Sequence, residues 1–587
     1  MNETRKKIPF SKADLAALLI FCGLAALLLT GAKYATVGGD ECYYYATAKR
    51  FLDGDRMFVD EWHLTQTSIL FQLLPYLAAA KLAGGTEGIL LHMRYAFIAV
   101  NLLIFICEYL KLRTVSRGTA LAAAALLCAD VYAGIFALNY YNLVIHFAVF
   151  LGLLLFRQNG ADGKRGVLAG VLLSCAVLLY PFLALTYFFY GFLVLLCVLV
   201  RRKRRRSLER YAFVLNGKTF LSLTVGVALS AAVFLVFLLC TSGLGPLLEN
   251  VPALFGDSEH QMTLLGNPQN LQKPKILCDA VGLDTVVGMP LLAGLAAVCK
   301  RFFDKKGAKA AILFCAQLLF LHGTFRISQH CTSFTVPMFA LICYLLCENK
   351  DRRVFAFWWL SVLVSIPMDY ASNVTIFFGG RIAWVPAVFF LFTLIGELRG
   401  ERKQPRRFAP LQLAAAVLSV GMLFFAGRNI TYITNTGAFM NAEDPTAFCV
   451  LEKGPLKGVA VSNLFARQYR DVLSDTDALG SDEGCVYVDA MCPYLYLAVE
   501  RPVGAYTSFF VEADNLTRQA QYWEKHPGKR PAFVYIPYGQ CFPSDRRADD
   551  ATPASVINKS LMYFRQNGEC VISKGAAGYL IEIKRWK

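Results

Sequence analysis

Long apolar runs recur along most of this chain, and they constrain its fold more than any other feature does. Each run has about 17 to 22 residues, the length that an α-helix needs to cross roughly 30 Å of hydrocarbon. Of the 587 residues, 56% are hydrophobic and only 17% are charged, which is typical of a polytopic membrane protein. By the length criterion we predict about thirteen transmembrane helices, near residues 13–32, 94–112, 118–134, 139–156, 165–180, 182–200, 219–241, 284–299, 309–326, 332–347, 354–370, 382–397 and 410–427.

The net charge of +17 is concentrated in short basic clusters between the apolar runs. Clusters at 201–206, 300–306, 348–353 and 399–407 fall between predicted spans, as cytoplasmic loops do under the positive-inside rule. A nucleic-acid-binding protein would instead carry a basic face on a folded domain, so we expect no nucleic-acid partner. We predict a multi-pass protein of the cell (plasma or inner) membrane, in contact with membrane lipids.

Arg5, Lys6 and Lys7 before the first span predict a cytoplasmic N-terminus, and an odd number of spans then places the C-terminus outside. The long loops 34–93 and 242–283 then lie outside as well, and every strong Lys/Arg cluster lies inside. We refer to residues 34–93 as the first loop.

The composition changes after Arg428. Short apolar runs typical of buried strands, at 485–490 and 532–538, alternate with polar stretches typical of helices, such as 513–525. We therefore predict a small extracytoplasmic α/β domain over residues 429–587, called the tail below, after a transmembrane domain of residues 1–428.

The eighteen cysteines do not indicate a metal centre. Most lie inside apolar runs, where cysteine behaves as a small hydrophobic residue, and no pair or cluster has zinc-ligand spacing. We predict no cofactor and no structural metal; a divalent metal ion stays an open alternative that no motif supports.

Acidic residues in the first loop are the strongest indication of chemistry. Asp40 and Glu41 follow the first span directly, and two apolar stretches, one around Tyr44 and one at 66–83, are typical of helices that lie along a membrane interface. We expect the loop to pack on the membrane and to hold Asp40 at the boundary between hydrocarbon and water.

A carboxylate in that position can accept a proton from a hydroxyl while its oxygen attacks an activated sugar. If the sugar is carried on a polyprenyl phosphate, the leaving group is an anion that nearby cations stabilise. We expect these groups to line one cavity between the first loop and the membrane core. The candidates are Asp40, Glu41 and Asp60 for catalysis, Arg94, Arg326, His330 and Arg381 for the donor phosphate, and Tyr44, Glu61 and His63 for the cavity wall or the acceptor.

Seven of these candidates also have a structural alternative. These are helix capping for Asp40 and Glu41, solvated loop charge for Asp60 and Glu61, lipid-headgroup anchoring for Arg94 and Arg381, and polar packing between helices for His330.

The run GGDECYYYATAKRFLDGDRMFVDEWH, followed later by RYAFIAVNLL, resembles the first loop of the GT-C superfamily of glycosyltransferases. The most similar branch is glycosyltransferase family 39, with the protein O-mannosyltransferases and the lipid A aminoarabinose transferase. The family pattern of an acidic pair, a Tyr/Ala helix ending in Gly, an aromatic-x-Asp turn and an Arg is matched by Asp40, Glu41, Tyr45, Ala48, Gly54, Phe58, Asp60 and Arg94.

This resemblance implies a GT-C-like helical fold and an inverting transfer from a polyprenyl-phosphate sugar, with the acidic pair as the base. The implied partners are a lipid-linked sugar donor and an envelope glycan, lipid or protein as acceptor. The chain departs from the family at residues 63–67, where members have a proline-containing pair, and this leaves a second acidic site and a metal site open.

Three other functions are compatible with this architecture: a transporter or flippase of lipid-linked glycans, a glycan polymerase or ligase that differs only in its donor, and a non-catalytic envelope assembly protein. Transporters place charges near the middle of their spans. Here the span centres are nearly free of charge and the acids cluster in an outer loop. This distribution favours an enzyme.

Overall fold

The computed structural model describes most of the chain. Its described residues are 11–34, 39–131, 135–156, 163–199, 217–254, 268–302, 305–325, 331–371, 378–399, 448–477, 479, 484–490, 492–509, 515–538 and 554–587.

The N-terminal part is helical. Its α-helices are α1 Lys12–Tyr34, α2 Gly39–Leu52, α3 Leu73–Ala83, α4 Ile89–Leu112, α5 Arg117–Ala129, α6 Tyr140–Leu155, α7 Gly163–Leu179, α8 Ala184–Leu199, α9 Gly217–Thr241, α10 Leu244–Leu254, α11 Lys273–Val281, α12 Leu283–Phe302, α13 Lys306–Phe325, α14 Cys331–Leu346, α15 Arg352–Ala371 and α16 Trp384–Arg399. Short 3-10 helices span Leu64–Phe71, Pro181–Leu183, Pro268–Leu271 and Phe378–Ala383.

Each predicted span overlaps one of these helices, except for 410–427, which lies outside the described residues; α5 ends at Ala129, before the predicted end of its span at 134. Six of the described helical segments are both long and apolar enough to cross a membrane, and several shorter helices are also apolar. Only 17% of the apolar window of α9 is buried, and the exposed side chains along it are mainly leucine and valine, as expected of a face against lipid. The polytopic helical fold is therefore confirmed.

In the first loop, the predicted helix around Tyr44 is α2. It ends at Leu52, two residues before Gly54, whose φ is 102°. The stretch 66–83, predicted as one helix, is instead a 3-10 helix followed by α3. Pro75 explains the break, because its nitrogen has no hydrogen to donate to the preceding turn and is tolerated only in the first turn of a helix. Helix α3 exposes Leu74 and Leu82, an apolar face suited to an interface.

Helices α7 and α9 cross with their backbones in contact. A Cβ atom at Gly170 would overlap the carbonyl oxygen of Leu223 and lie 2.9 Å from the amide nitrogen of Val227. A Cβ at Gly226 would overlap the carbonyl oxygen of Val167 in the same way. Small residues thus allow the two helices to approach closely, as is common between membrane helices.

The tail is a small α/β unit. Its elements are β1 Phe448–Val450, β2 Ala460–Ser462, α17 Asn463–Asp477, β3 Cys485–Val488, α18 Pro493–Ala498, α19 Asn515–Lys525, β4 Pro531–Pro537, α20 Ala554–Asn567, β5 Gly568–Lys574 and β6 Gly578–Trp586. The main sheet has the order β3-β4-β6-β5, in which β3 and β4 are parallel and the other neighbours antiparallel.

The strands predicted at 485–490 and 532–538 are β3 and β4, and the helix predicted at 513–525 is α19. Tyr487 and Trp523 pack edge to face between the sheet and α19, with ring centroids 5.3 Å apart. The predicted domain boundary at 428/429 lies outside the described residues.

Candidate functional site

Glu41 is paired with Arg94 at the start of the first loop. Nε and Nη2 of Arg94 each donate a hydrogen bond of 2.7 Å to one carboxylate oxygen of Glu41, and both side chains are fully buried. Nη1 of Arg94 donates to the carbonyl oxygen of Ala32 at 2.6 Å. Burial raises the pKa of Glu41, and the guanidinium of Arg94 opposes that shift. The pair joins the ends of α1, α2 and α4.

Asp40 lies in the first turn of α2, next to Glu41. Its side chain, and the residues that join α1 to α2, are outside the part of the chain that the structure describes.

A second buried guanidinium, that of Arg50, lies near the other end of α2. Its Nε donates to Asp55 and its Nη1 to Glu61, both at 2.7 Å. Its Nη2 donates to two carbonyl oxygens, that of Asp60 at 2.6 Å and that of Ala505 in the tail at 2.9 Å. We call Arg50, Asp55 and Glu61, with these two carbonyl groups, the Arg50 cluster.

Glu61 is fully buried in this cluster. It also accepts hydrogen bonds from the backbone amides of His63 at 3.2 Å and Ser508 at 3.4 Å. Burial raises the pKa of Glu61, while Arg50 acts to lower it. The structural alternative of a solvated loop charge is therefore wrong for Glu61, which forms an internal ion pair; its predicted place in the cavity wall stays a prediction.

The carboxylate of Asp60 pairs with Arg56 and not with Arg50. Burial acts to raise its pKa, but hydrogen bonds from the Arg56 backbone amide at 2.7 Å and the Arg56 guanidinium at 3.0 Å leave the pKa of Asp60 below its ordinary value. Nδ1 of His526, in the tail, lies 3.9 Å from its carboxylate. A carboxylate with a lowered pKa is a weak proton acceptor.

Aromatic rings cover α2 on two sides. Tyr44 lies 6.4 Å from Tyr140 at the start of α6, measured between ring centroids. Tyr43 lies 5.0 Å from the ring of His63 and 5.2 Å from Phe509 of the tail. The two predicted cavity-wall residues therefore contact different parts of the molecule. Tyr44 lies beside α6, whereas His63 lies beside Tyr43.

Arg381 lies beside buried polar groups from two other segments, Asp130 after α5 and Asn142 in α6. Its Nε is 3.4 Å from Oδ1 of Asp130, and its Nη1 donates to Oδ1 of Asn142 at 3.4 Å. Oδ2 of Asp130 accepts a shorter bond of 2.9 Å from the indole nitrogen of Trp384. Both contacts of the guanidinium are long, and its Nε has no hydrogen-bond partner among the described residues.

Sequence reasoning missed Arg50, Asp130 and Asn142. A signal for Asp130 was present, because it is an acidic residue inside a predicted span, and such residues usually mark a function or a buried pair. Arg50 gave no comparable signal, since a basic residue at the end of a helix is ordinary.

The predicted donor-phosphate residues Arg326 and His330 lie outside the described residues, so the predicted cavity remains a prediction. Among the residues that the structure does describe, no three His, Cys, Asp or Glu side chains are grouped closely enough to hold a metal ion.

Fold and site together define a polytopic α-helical membrane protein with a small α/β tail. Buried ion pairs lie where the first loop meets the membrane helices and where it meets the tail. No protein-family model matches the sequence, and no curated protein is significantly similar to it.

Among solved structures, the chain is similar to ArnT from Cupriavidus metallidurans bound to undecaprenyl phosphate, with 12% identity and a TM-score of 0.45. For the same protein in the apo state the values are 11% and 0.47, and both comparisons cover 97% of this chain and 98% of the other. It is also similar to the archaeal oligosaccharyltransferase AglB from Archaeoglobus fulgidus, in complex with an inhibitory peptide and a dolichol-phosphate. There the identity is 13%, the TM-score 0.41 and the coverage 89% of this chain and 70% of that one. This likeness concerns the fold, and it does not show an activity of this chain.

Proposed function

We propose that this protein transfers a sugar from a polyprenyl-phosphate-linked donor to a hydroxyl group of a cell-envelope acceptor, at the extracytoplasmic face of the cell membrane. The reaction displaces the anionic lipid phosphate from the anomeric carbon and moves the hydroxyl proton to a carboxylate. The proposal needs one carboxylate that can act as base and one cation that can stabilise the phosphate.

The commitment of the other first-loop carboxylates to basic side chains is the observation that carries the proposal. Glu41 is bound to Arg94, Asp60 to Arg56 and Glu61 to Arg50. The carboxylates of Glu41 and Glu61 are also fully buried, so neither reaches a substrate hydroxyl, and the lowered pKa of Asp60 makes it a weak proton acceptor. We assign the general base to Asp40, the first carboxylate after α1, and treat Glu41 as the residue that anchors the helix carrying it.

Arg381 is our candidate for the donor phosphate. A guanidinium normally makes short, charge-assisted hydrogen bonds, often two in parallel to one anion. Within the described part of the chain, the two contacts of Arg381 are both 3.4 Å long. A phosphate oxygen would supply the stronger acceptor that the described surroundings of Arg381 lack, and Asp130 with Trp384 would keep the guanidinium oriented. In this proposal, Arg326 and His330 stay candidates for the same anion.

The test is transfer by the purified Asp40→Asn variant. The amide keeps the size of the side chain but cannot accept the proton, so turnover should fall by at least about 10²-fold, the lower range for lost base catalysis. Turnover is measured as release of polyprenyl phosphate from labelled donors in the presence of envelope acceptors. Asp53→Asn is the matched control, because Asp53 is on the same loop and its exposed carboxylate pairs with Lys49 of α2.

Near-normal turnover by Asp40→Asn would remove Asp40 from the base role. If the wild-type protein released no polyprenyl phosphate with any donor, this result would contradict the proposed transfer function.

A further inference from the structure

The tail contacts the first loop through backbone groups as well as side chains. The amide of Trp62 donates to the carbonyl oxygen of Tyr506 at 2.8 Å. The hydroxyl of Tyr522 donates to the carbonyl oxygen of Asp60 at 3.0 Å, and Lys529 forms an ion pair with Asp55. Such contacts fix the distance and the orientation of two segments, because every donor has a specific acceptor.

The interface is internal. Arg50, Glu61, Trp62 and Tyr522 are each at most 2% exposed. The ring of Trp62 packs against the ring of Tyr522 edge to face, with centroids 5.1 Å apart. Removing the tail would take the carbonyl group of Ala505 from Arg50 and the Ser508 amide from Glu61. Leaving a buried group without one of its hydrogen-bond partners is destabilising, so this arrangement of the loop depends on the tail.

Helix α2 transmits that dependence to the reaction site. It has 14 residues, with Glu41 and the proposed base Asp40 in its first turn and Arg50 in its last turn. An α-helix of this length is about 20 Å long and moves as a rigid rod. A tilt at the Arg50 end therefore displaces the Asp40 end.

We propose that Arg50 is a positioning residue through which the docked tail holds the first loop in the geometry that transfer requires, so that the site is complete only with the tail in place. This inference rests on the proposed function. It gives the tail a part in the chemical step, whereas a separate module that only selected the acceptor would leave the geometry of α2 unchanged.

The experiment weakens the docking from the tail side. Tyr522→Phe removes one hydroxyl, and Lys529→Met removes one cation; neither changes a residue of the first loop. Each should lower kcat by at least about tenfold, since misplacement by about 1 Å can cost 10²-fold, while KM for the lipid donor stays within about twofold. Lys529→Arg keeps the cation and should retain more activity than Lys529→Met.

Lys584→Met is the matched control, because Lys584 forms an exposed ion pair with Glu582 inside the tail sheet and does not contact the first loop among the described residues. Its kcat should equal that of the wild type. Hydrogen exchange at the Trp62 amide reports docking without any substrate, and it should be faster in both docking variants and unchanged in the control.

Wild-type kcat in both docking variants would overturn the proposal. So would a loss of kcat that comes with an equal rise in donor KM and a lower unfolding temperature, because that pattern indicates general damage to the fold. An inactive wild type would contradict the proposed function instead, and the exchange of Trp62 would still show whether the tail is docked.

Discussion

Glu41 and Arg94 illustrate how differently a buried ion pair responds to losing one partner and to losing both. Each oxygen of the carboxylate has its own donor on the guanidinium, and neither side chain reaches solvent. The attraction between the two charges roughly offsets their desolvation, so the pair as a whole adds little stability. A single remaining charge, in contrast, has no compensation.

We therefore predict that Arg94→Met lowers the free energy of unfolding by about 3 to 5 kcal/mol. The double variant Glu41→Leu/Arg94→Met, in which no charge is left, should recover more than half of that loss. Thermal unfolding of the purified variants in detergent measures both. A double variant as unstable as the single one would mean that the pair itself, rather than the orphaned carboxylate, stabilises this corner of the fold.

The residue scale is also where sequence reasoning reached its limit. It selected Glu41 and Arg94, which are 53 positions apart, but gave them separate roles, since a sequence does not show that one side chain satisfies the other. Arg50 was not selected, because one of its partners is the backbone of Ala505, and a backbone carbonyl group leaves no mark in the sequence. Asp130 was not selected either, although an acidic residue inside a predicted span usually marks a function or a buried pair.

At the scale of elements, the crossing of α7 and α9 depends on having no side chain at Gly170. A methyl group there would meet the backbone of Leu223 and Val227, which cannot rotate out of the way as a side chain can. The helices would have to separate along their contact, with loss of packing on both sides.

We predict that Gly170→Ala lowers the unfolding temperature, with a loss of about 1 to 3 kcal/mol, as is usual for overpacking. Gly163→Ala is the control on the same helix, because the nearest atom to its Cβ is the Ser222 hydroxyl oxygen at an ordinary 3.8 Å. Equal unfolding temperatures for the two variants would show that the contact between α7 and α9 can accommodate a methyl group at position 170.

Elements were more predictable than residues, for a physical reason. Crossing hydrocarbon requires a minimum length of apolar helix, so the spans were visible as runs. The break between the 3-10 helix and α3 was missed because hydropathy continues through Pro75 while hydrogen bonding does not. The tail strands β3 and β4 were found because both are short apolar runs buried in one sheet.

At the scale of the whole molecule, the predicted topology places the first loop and the tail on the outside together. Their direct contacts in the structure require that they share one side, but they do not decide which side it is. The basic clusters favour the outside for both.

We predict that Met562→Cys, on an exposed face of α20, reacts with a membrane-impermeant thiol reagent added to intact spheroplasts. Lys305→Cys, between α12 and α13, should react only after the membrane is opened. The unsubstituted chain gives the background from the native cysteines. The reverse pattern would put the acidic loop in the cytoplasm and remove the support for an extracytoplasmic lipid-phosphate donor.

The Arg50 cluster joins residues that the ribosome makes at very different times. Arg50 and Ala505 are 455 positions apart. At about 5 to 20 residues per second, the first loop is complete roughly 20 to 90 s before Ala505 is synthesised. Throughout that interval the guanidinium lacks one of its final acceptors, so the newly made loop must keep this region hydrated. Burial of Arg50 is consequently among the last events in the maturation of the protein. A chain released before Ala505 would carry every membrane helix of the described part, but its first loop would lack the hydrogen bond from Arg50 to the tail.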